Sequence, residues 1–221
     1  DLKARLELVG ADGTRTALDD VAPISAQFPT GHLLAGDVLR GPNTVRIPAS
    51  MPSGIYALRV VLADESGAEQ GSVVELGQVT IRVSERIMSA PRVEHPASSS
   101  LGDQLRLVGY DLSGVTLMPG ATLTATLYWQ AQRVMIGDYK VFVHLLDATG
   151  RLVAGSDAIP ANWTRPTTGW IAGEYVTDPH TLQLPANLAP GDYVLEVGLY
   201  DADSGVRLGD RILLDHEGRG L

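Results

Sequence analysis

Residues 166–201, PTTGWIAGEYVTDPHTLQLPANLAPGDYVLEVGLYD, have a counterpart 137 positions earlier, where residues 29–64 read PTGHLLAGDVLRGPNTVRIPASMPSGIYALRVVLAD. Setting Pro166 over Pro29 also aligns Thr30/Thr167, Pro42/Pro179, Thr44/Thr181, Pro48/Pro185, Gly54/Gly191, Tyr56/Tyr193 and Asp64/Asp201. The match runs back through Pro23/Pro160, Asp20/Asp157, Gly13/Gly150 and Leu8/Leu145 to Lys3/Lys140 without a gap. About a third of the paired positions are identical, so the chain is two related modules and both halves must suit one fold.

That fold is read from strand-like alternation and turn residues. Residues 2–10 alternate into the turn Ala11-Asp12-Gly13, and residues 55–62 and 73–83 form two further strands around a polar turn. Residues 37–47 read as extended up to Pro48. In the second copy, 104–112, 122–130, 139–147, 151–158, 174–184, 192–200 and 206–214 read as strands, and no window shows helical periodicity. The class is all-β: two tandem related antiparallel β-sandwiches of Ig-like or jelly-roll type. The modules span 1–88 and 89–221, and the Pro- and Ser-rich stretch 84–100 across their boundary reads as a linker with enough apolar character to pack. Nothing in the first copy corresponds to the strands at 104–112 and 122–130, so it lacks its leading strands. An edge left open in this way invites association with a neighbouring strand.

Composition narrows the partners. A net charge of −9 with no basic cluster disfavours nucleic acid and anionic lipid, leaving a cation or a neutral glycan as the better small partner. Without cysteine there are no disulfides or thiolate sites, and no apolar run is long enough to cross a bilayer. No cofactor is implied. A chain opening Asp-Leu-Lys reads as a mature product or an excised piece.

Several segments carry a family resemblance. They are Leu107-Val108-Gly109-Tyr110-Asp111, Pro119-Gly120 with Leu127-Tyr128-Trp129, the strand at 139–147, Pro166-Thr167 with Trp170, and Pro190-Gly191-Asp192-Tyr193 with Gly198-Leu199-Tyr200-Asp201. Through them the second copy resembles a repeated extracytoplasmic β-sandwich module of large bacterial membrane and surface proteins, some of which resemble membrane glycosyltransferases. The turn-then-strand pattern is also similar to macroglobulin-like and glycan-binding sandwiches. The resemblance implies an extracytoplasmic, non-catalytic accessory module that contacts a protein partner or its own parent chain, and it brings no active-site residues.

Residues that differ between the copies are where a separate function of the second copy would lie. Trp163 faces Ala26 in the alignment, within a loop bounded by Pro160 and Pro166. An exposed ring there would stack on a sugar, with Asn162, Thr164 and Arg165 as hydrogen-bonding neighbours; the alternative is a ring folded over the end of the sandwich. Trp129 and Trp170 read as packing residues. His144 reads as a solvent- or edge-facing strand residue, and His95, His180 and His216 lack metal-ligand spacing. Asp201-Ala202-Asp203-Ser204-Gly205 reads as a hairpin turn rather than a calcium loop. Asp20 and Asp157 are placed to cap backbone amides of the loops that follow them.

Overall fold

A computed structural model describes residues 1–23, 25, 29–38 and 40–214. His216 and Ala26 lie outside the described residues. The chain is all-β, with three antiparallel four-stranded sheets. Its contacts divide it into two units, Asp1–Ser84 and Glu85–Leu221.

The first unit is one sheet of order β2-β1-β3-β4, built from β1 (Lys3–Val9), β2 (Arg15–Val21), β3 (Gly54–Ala63) and β4 (Glu69–Ile81). The second unit has two sheets. The first, of order β10-β7-β6-β5, contains β5 (His95–Leu101), β6 (Leu105–Leu112), β7 (Thr122–Ala131) and β10 (Tyr175–Gln183). The other, of order β12-β11-β8-β9, contains β8 (Tyr139–Asp147), β9 (Leu152–Ala158), β11 (Tyr193–Asp201) and β12 (Ile212–Leu214).

The repeat is carried into three dimensions in the central strand pair of each copy, while the β1–β2 and β8–β9 ladders place their bulges differently. β1 pairs with β3 through Leu8↔Leu58, and β8 pairs with β11 through Leu145↔Leu195, the same register 137 positions on. The short 3-10 turns Thr30–His32 and Thr167–Gly169 fall at matching positions. Shared side chains do shared work. The Leu2 amide donates to Thr30 Oγ1 at 2.7 Å, and the Tyr139 amide donates to Thr167 Oγ1 at 2.9 Å. The Tyr56 hydroxyl donates to the Pro52 carbonyl at 3.0 Å, and the Tyr193 hydroxyl to the Ala189 carbonyl at 2.5 Å, each tying the start of a strand to the turn before it.

In the second unit the alternation of both sheets points one face inward, and a single apolar core forms between the layers. It includes Leu107, Leu127 and Trp129 from one sheet and Val141, Val143, Leu145, Leu195, Val197 and Leu199 from the other. Each residue of this set is at most 5% exposed. This is the two-layer solution by which a sheet hides an apolar face.

Three sequence expectations change. The segment expected to be a linker contains β5, and its beginning packs within the second unit, with an isolated bridge from Ile87 to Tyr175. Pro96 is accommodated because β5 is the outermost strand of its sheet, where a missing amide breaks no ladder. Among the described residues, 40–47 form no strand although their counterparts make up most of β10, and β12 covers only the last three residues of 206–214. Lastly, the vacancy in the first unit is a face and not an edge. β1 is an inner strand between β2 and β3, and the absent strands correspond to the opposing sheet.

Candidate functional site

The Pro-bounded loop is set on a turn, Pro160–Trp163, whose backbone is left-handed at Ala161 (φ 53°), Asn162 (φ 53°) and Trp163 (φ 68°). These are the non-glycine residues with positive φ among those described. L side chains resist this region by roughly 1–2 kcal/mol per residue, with Asn the most tolerant of the three. A run of three therefore needs external support, and hydrogen bonds provide it. The Trp163 amide donates to the Ile159 carbonyl at 2.9 Å, the Arg165 amide to the Pro160 carbonyl at 3.1 Å, and the Thr164 hydroxyl to the Ala161 carbonyl at 2.6 Å.

Two buried acids hold this turn against the sandwich. Asp178, on the inward phase of β10, accepts the Ala161 amide on Oδ1 at 2.8 Å. Its Oδ2 accepts the Trp129 indole N–H at 3.1 Å and lies 3.0 Å from His180 Nε2. His180 Nδ1 in turn lies 3.1 Å from the Ser156 hydroxyl. Because Asp178 already accepts from the Ala161 amide and the Trp129 indole, Nε2 is assigned as the donor to it and Nδ1 as the acceptor from Ser156, a tautomer set by this network. Glu174, fully buried, ion-pairs with both Arg165 and Arg86 and accepts the Ile171 amide at 3.2 Å. The Arg165 carbonyl completes the clamp by accepting the Trp170 indole N–H at 3.0 Å.

The four candidate residues are thereby separated. Asn162, Trp163 and Thr164 are exposed, and Trp163 leaves 59% of its surface open. Lys140 Nζ sits 5.5 Å from the centre of its ring, within cation–π range. Arg165 is turned inward to Glu174, so its guanidinium is part of the support and not of the exposed platform. Trp129 and Trp170 are both fully buried, as packing residues should be.

Sequence reasoning missed the anchors Asp178, Glu174 and Arg86. The signal for Asp178 was its phase: Val176, Asp178, His180 and Leu182 all fall on one side of an alternating strand, and all four are buried. Arg86 was hidden in a segment read as linker. Asp157 does not cap the following loop; it sits 2.9 Å from His144 Nε2 and accepts the Tyr200 hydroxyl at 3.1 Å, while Asp20 takes the Arg5 guanidinium at 3.2 Å. His144 is partly covered by these neighbours and by the Phe142 ring, 4.9 Å away. Asp201 accepts the amides of Asp203 and Ser204 and the Ser204 hydroxyl, the bonding of a hairpin turn. Among the described residues no cluster of three or more His, Asp or Glu is placed to hold a metal ion.

Chemically, Ser156–His180–Asp178 places a hydroxyl against an imidazole and the imidazole against a carboxylate. His180 is only 2% exposed, and Asp178 is shared with Trp129 and the Ala161 amide, so the relay runs into the core. Through Asp178 it is joined to the turn that carries Trp163. Neither a protein-family model nor a curated protein matches the chain.

Proposed function

We propose that the chain is a non-catalytic structural and interaction module of an extracytoplasmic bacterial surface or membrane-associated protein. The observation that carries this reading is the use made of the buried polar groups in the second unit. Glu174 and Asp178 are engaged with loop backbone, indole or guanidinium, and His180 with Asp178 and Ser156, an arrangement that braces the loop they hold. The absence of any basic surface signature in a chain of net charge −9 favours a protein or neutral partner over nucleic acid. The direct test is turnover of activated esters and nitrophenyl glycosides by the whole chain. The reading expects rates equal to those of Ser156→Ala; a rate that falls with that substitution would overturn it.

A second reading is favoured by one specific observation, the exposed Trp163 ring on its braced turn. In this reading the second unit is a carbohydrate-binding module in which the indole stacks on the apolar face of a neutral sugar and Asn162 and Thr164 supply hydrogen bonds. Lys140 occupies one side of the ring, leaving the other for ligand. Affinity electrophoresis through a panel of neutral polysaccharides decides it. Retardation should fall at least about tenfold in Trp163→Ala, the loss of a desolvated aromatic contact. No retardation by any glycan, or retardation that Trp163→Ala leaves unchanged, removes this reading.

A further inference from the structure

Two matched turns end on different side chains. The 3-10 turn Thr30–His32 is closed by Leu33, and its counterpart in the repeat, Thr167–Gly169, by Trp170. Both closing residues are extended, at φ/ψ −74°/136° and −87°/143°, and both donate their amide to the carbonyl of the turn's first residue. The Thr30 and Thr167 hydroxyls tie the two turns to the starts of β1 and β8 in the same way. Leu33 and Trp170 therefore leave the backbone in equivalent directions. They meet different surroundings. Trp170 is fully buried in the core that also holds Leu199. Leu33 is 40% exposed, and Leu62, the counterpart of Leu199, 36%. The cluster of Leu8, Leu18 and Met51, with Val45 packed against it, covers the end of the sheet near Leu58, and neither Leu33 nor Leu62 belongs to it.

A cavity of about 660 Å³ opens beside Leu33 and Leu62, and Leu2 and Pro23 extend its apolar lining. That volume lies within the roughly 300–1,000 Å³ typical of ligand sites. Asp1, Asp64 and Glu65 stand on its rim, and among the described residues no lysine or arginine lines it. The Asp1 and Asp64 side chains accept only from amide and hydroxyl groups, and the exposed Glu65 meets the Asp1 ammonium at 3.7 Å. The rim thus keeps a surplus of negative charge.

We propose that this cavity receives an aromatic side chain of a partner protein, with a basic residue next to that ring meeting the acidic rim. The second unit supplies the argument for the ring. From the matched position it buries an indole of its own, whereas the first unit carries a smaller aliphatic side chain there and stays open. The rim supplies the argument for the base, since three carboxylates attract a cation beside the ring and repel an anion. The inference names the partner chemistry of the interaction-module reading and rests on that reading. The two fail separately, because turnover is tested at Ser156 in the second unit and docking at Leu33 and Leu62 in the first.

The test titrates the whole chain with two end-capped tripeptides, lysyl-tryptophyl-lysine and glutamyl-tryptophyl-glutamate, and with tryptophan amide, following leucine methyl signals by NMR. The basic tripeptide should shift the methyls of Leu33 and Leu62 and bind at least about tenfold more tightly than the acidic one at low salt. Unmoved methyls, or equal affinity for the two tripeptides, overturn the proposal. Tryptophan amide binding as tightly as the basic tripeptide also overturns it, by making a free aromatic amine the occupant. Leu33→Trp, which gives the first unit the residue of the second, should weaken the basic tripeptide at least about tenfold by filling the cavity from within. Unchanged affinity in a folded Leu33→Trp variant places binding elsewhere and overturns the proposal. The titration of the unaltered chain decides the matter whether or not that variant folds.

Discussion

Asp178 is the residue on which the exposed platform depends. It takes hydrogen bonds from a strained backbone amide, a buried indole and a buried imidazole together. Asp178→Ala leaves Trp129 and His180 without their partner inside the core, where each lost bond carries a desolvation penalty, and the expected cost is about 3–5 kcal/mol. Ala161→Gly acts in the opposite sense. Glycine adopts φ 53° without strain, so this substitution should stabilise by about 0.5–1 kcal/mol. Urea unfolding of the two variants checks both signs, and a destabilising Ala161→Gly would contradict the strained turn. At this scale the sequence was informative wherever the two copies agree. Tyr56/Tyr193 and Thr30/Thr167 repeat because they make the same bond twice. Asp178 has Gly41 for a counterpart, Arg86 lies outside the aligned copies, and the bonds from Trp129 to Asp178 and from Arg86 to Glu174 span 49 and 88 residues, so spacing gave them no signature.

At the scale of elements, turns and strands with strong alternation were legible, and elements made by their neighbours were not. β6, β7, β8 and β11 alternate cleanly or carry β-branched runs, and they fall where the pattern placed them. β5 (His95–Leu101) reads HPASSSL, which has linker composition, and it is a strand because β6 offers it a ladder. Residues 40–47 show the converse: a sequence compatible with a strand that forms none among the described residues. The hairpins after β3, β8 and β11 share one device, an Asp whose carboxylate accepts from a hydroxyl residue within the turn: Asp64 with Ser66, Asp147 with Thr149, Asp201 with Ser204. These hydroxyl bonds, with turn amides adding to them, hold all three carboxyls below the ordinary value of 3.8. Because the folded value is depressed, the stabilising contribution is complete above the unfolded value and is lost as pH falls through the folded one. NMR titration of the side-chain carboxyls should place all three midpoints below 3.8. Thr149→Val should raise that of Asp147 alone; a midpoint unmoved by that substitution would contradict the hydroxyl as the principal cause.

Across the whole molecule, the repeat at 137 residues accounts for most of what could be read in advance: one sheet-forming unit, present twice, with the same register in its central strand pair. What it could not convey is which layer the first copy lacks. Missing leading strands are compatible with an open edge or an open face, and only the topology, with β1 between β2 and β3, distinguishes them. The consequence is an asymmetry of burial between sequences that are a third identical: Leu62 is 36% exposed where Leu199 is 1%, although Leu8 is as buried as Leu145. Stability should follow burial, because an apolar face that is only partly covered contributes less at roughly 25 cal/mol per Å² of area removed from water. Matched amides on β3 and β11 report this directly. Native-state hydrogen exchange of the intact chain should give Leu58, Val60 and Leu62 protection at least about 100-fold below that of Leu195, Val197 and Leu199. Equal protection at the three matched pairs would contradict an account in which one copy is a closed sandwich and the other a single, partly covered sheet.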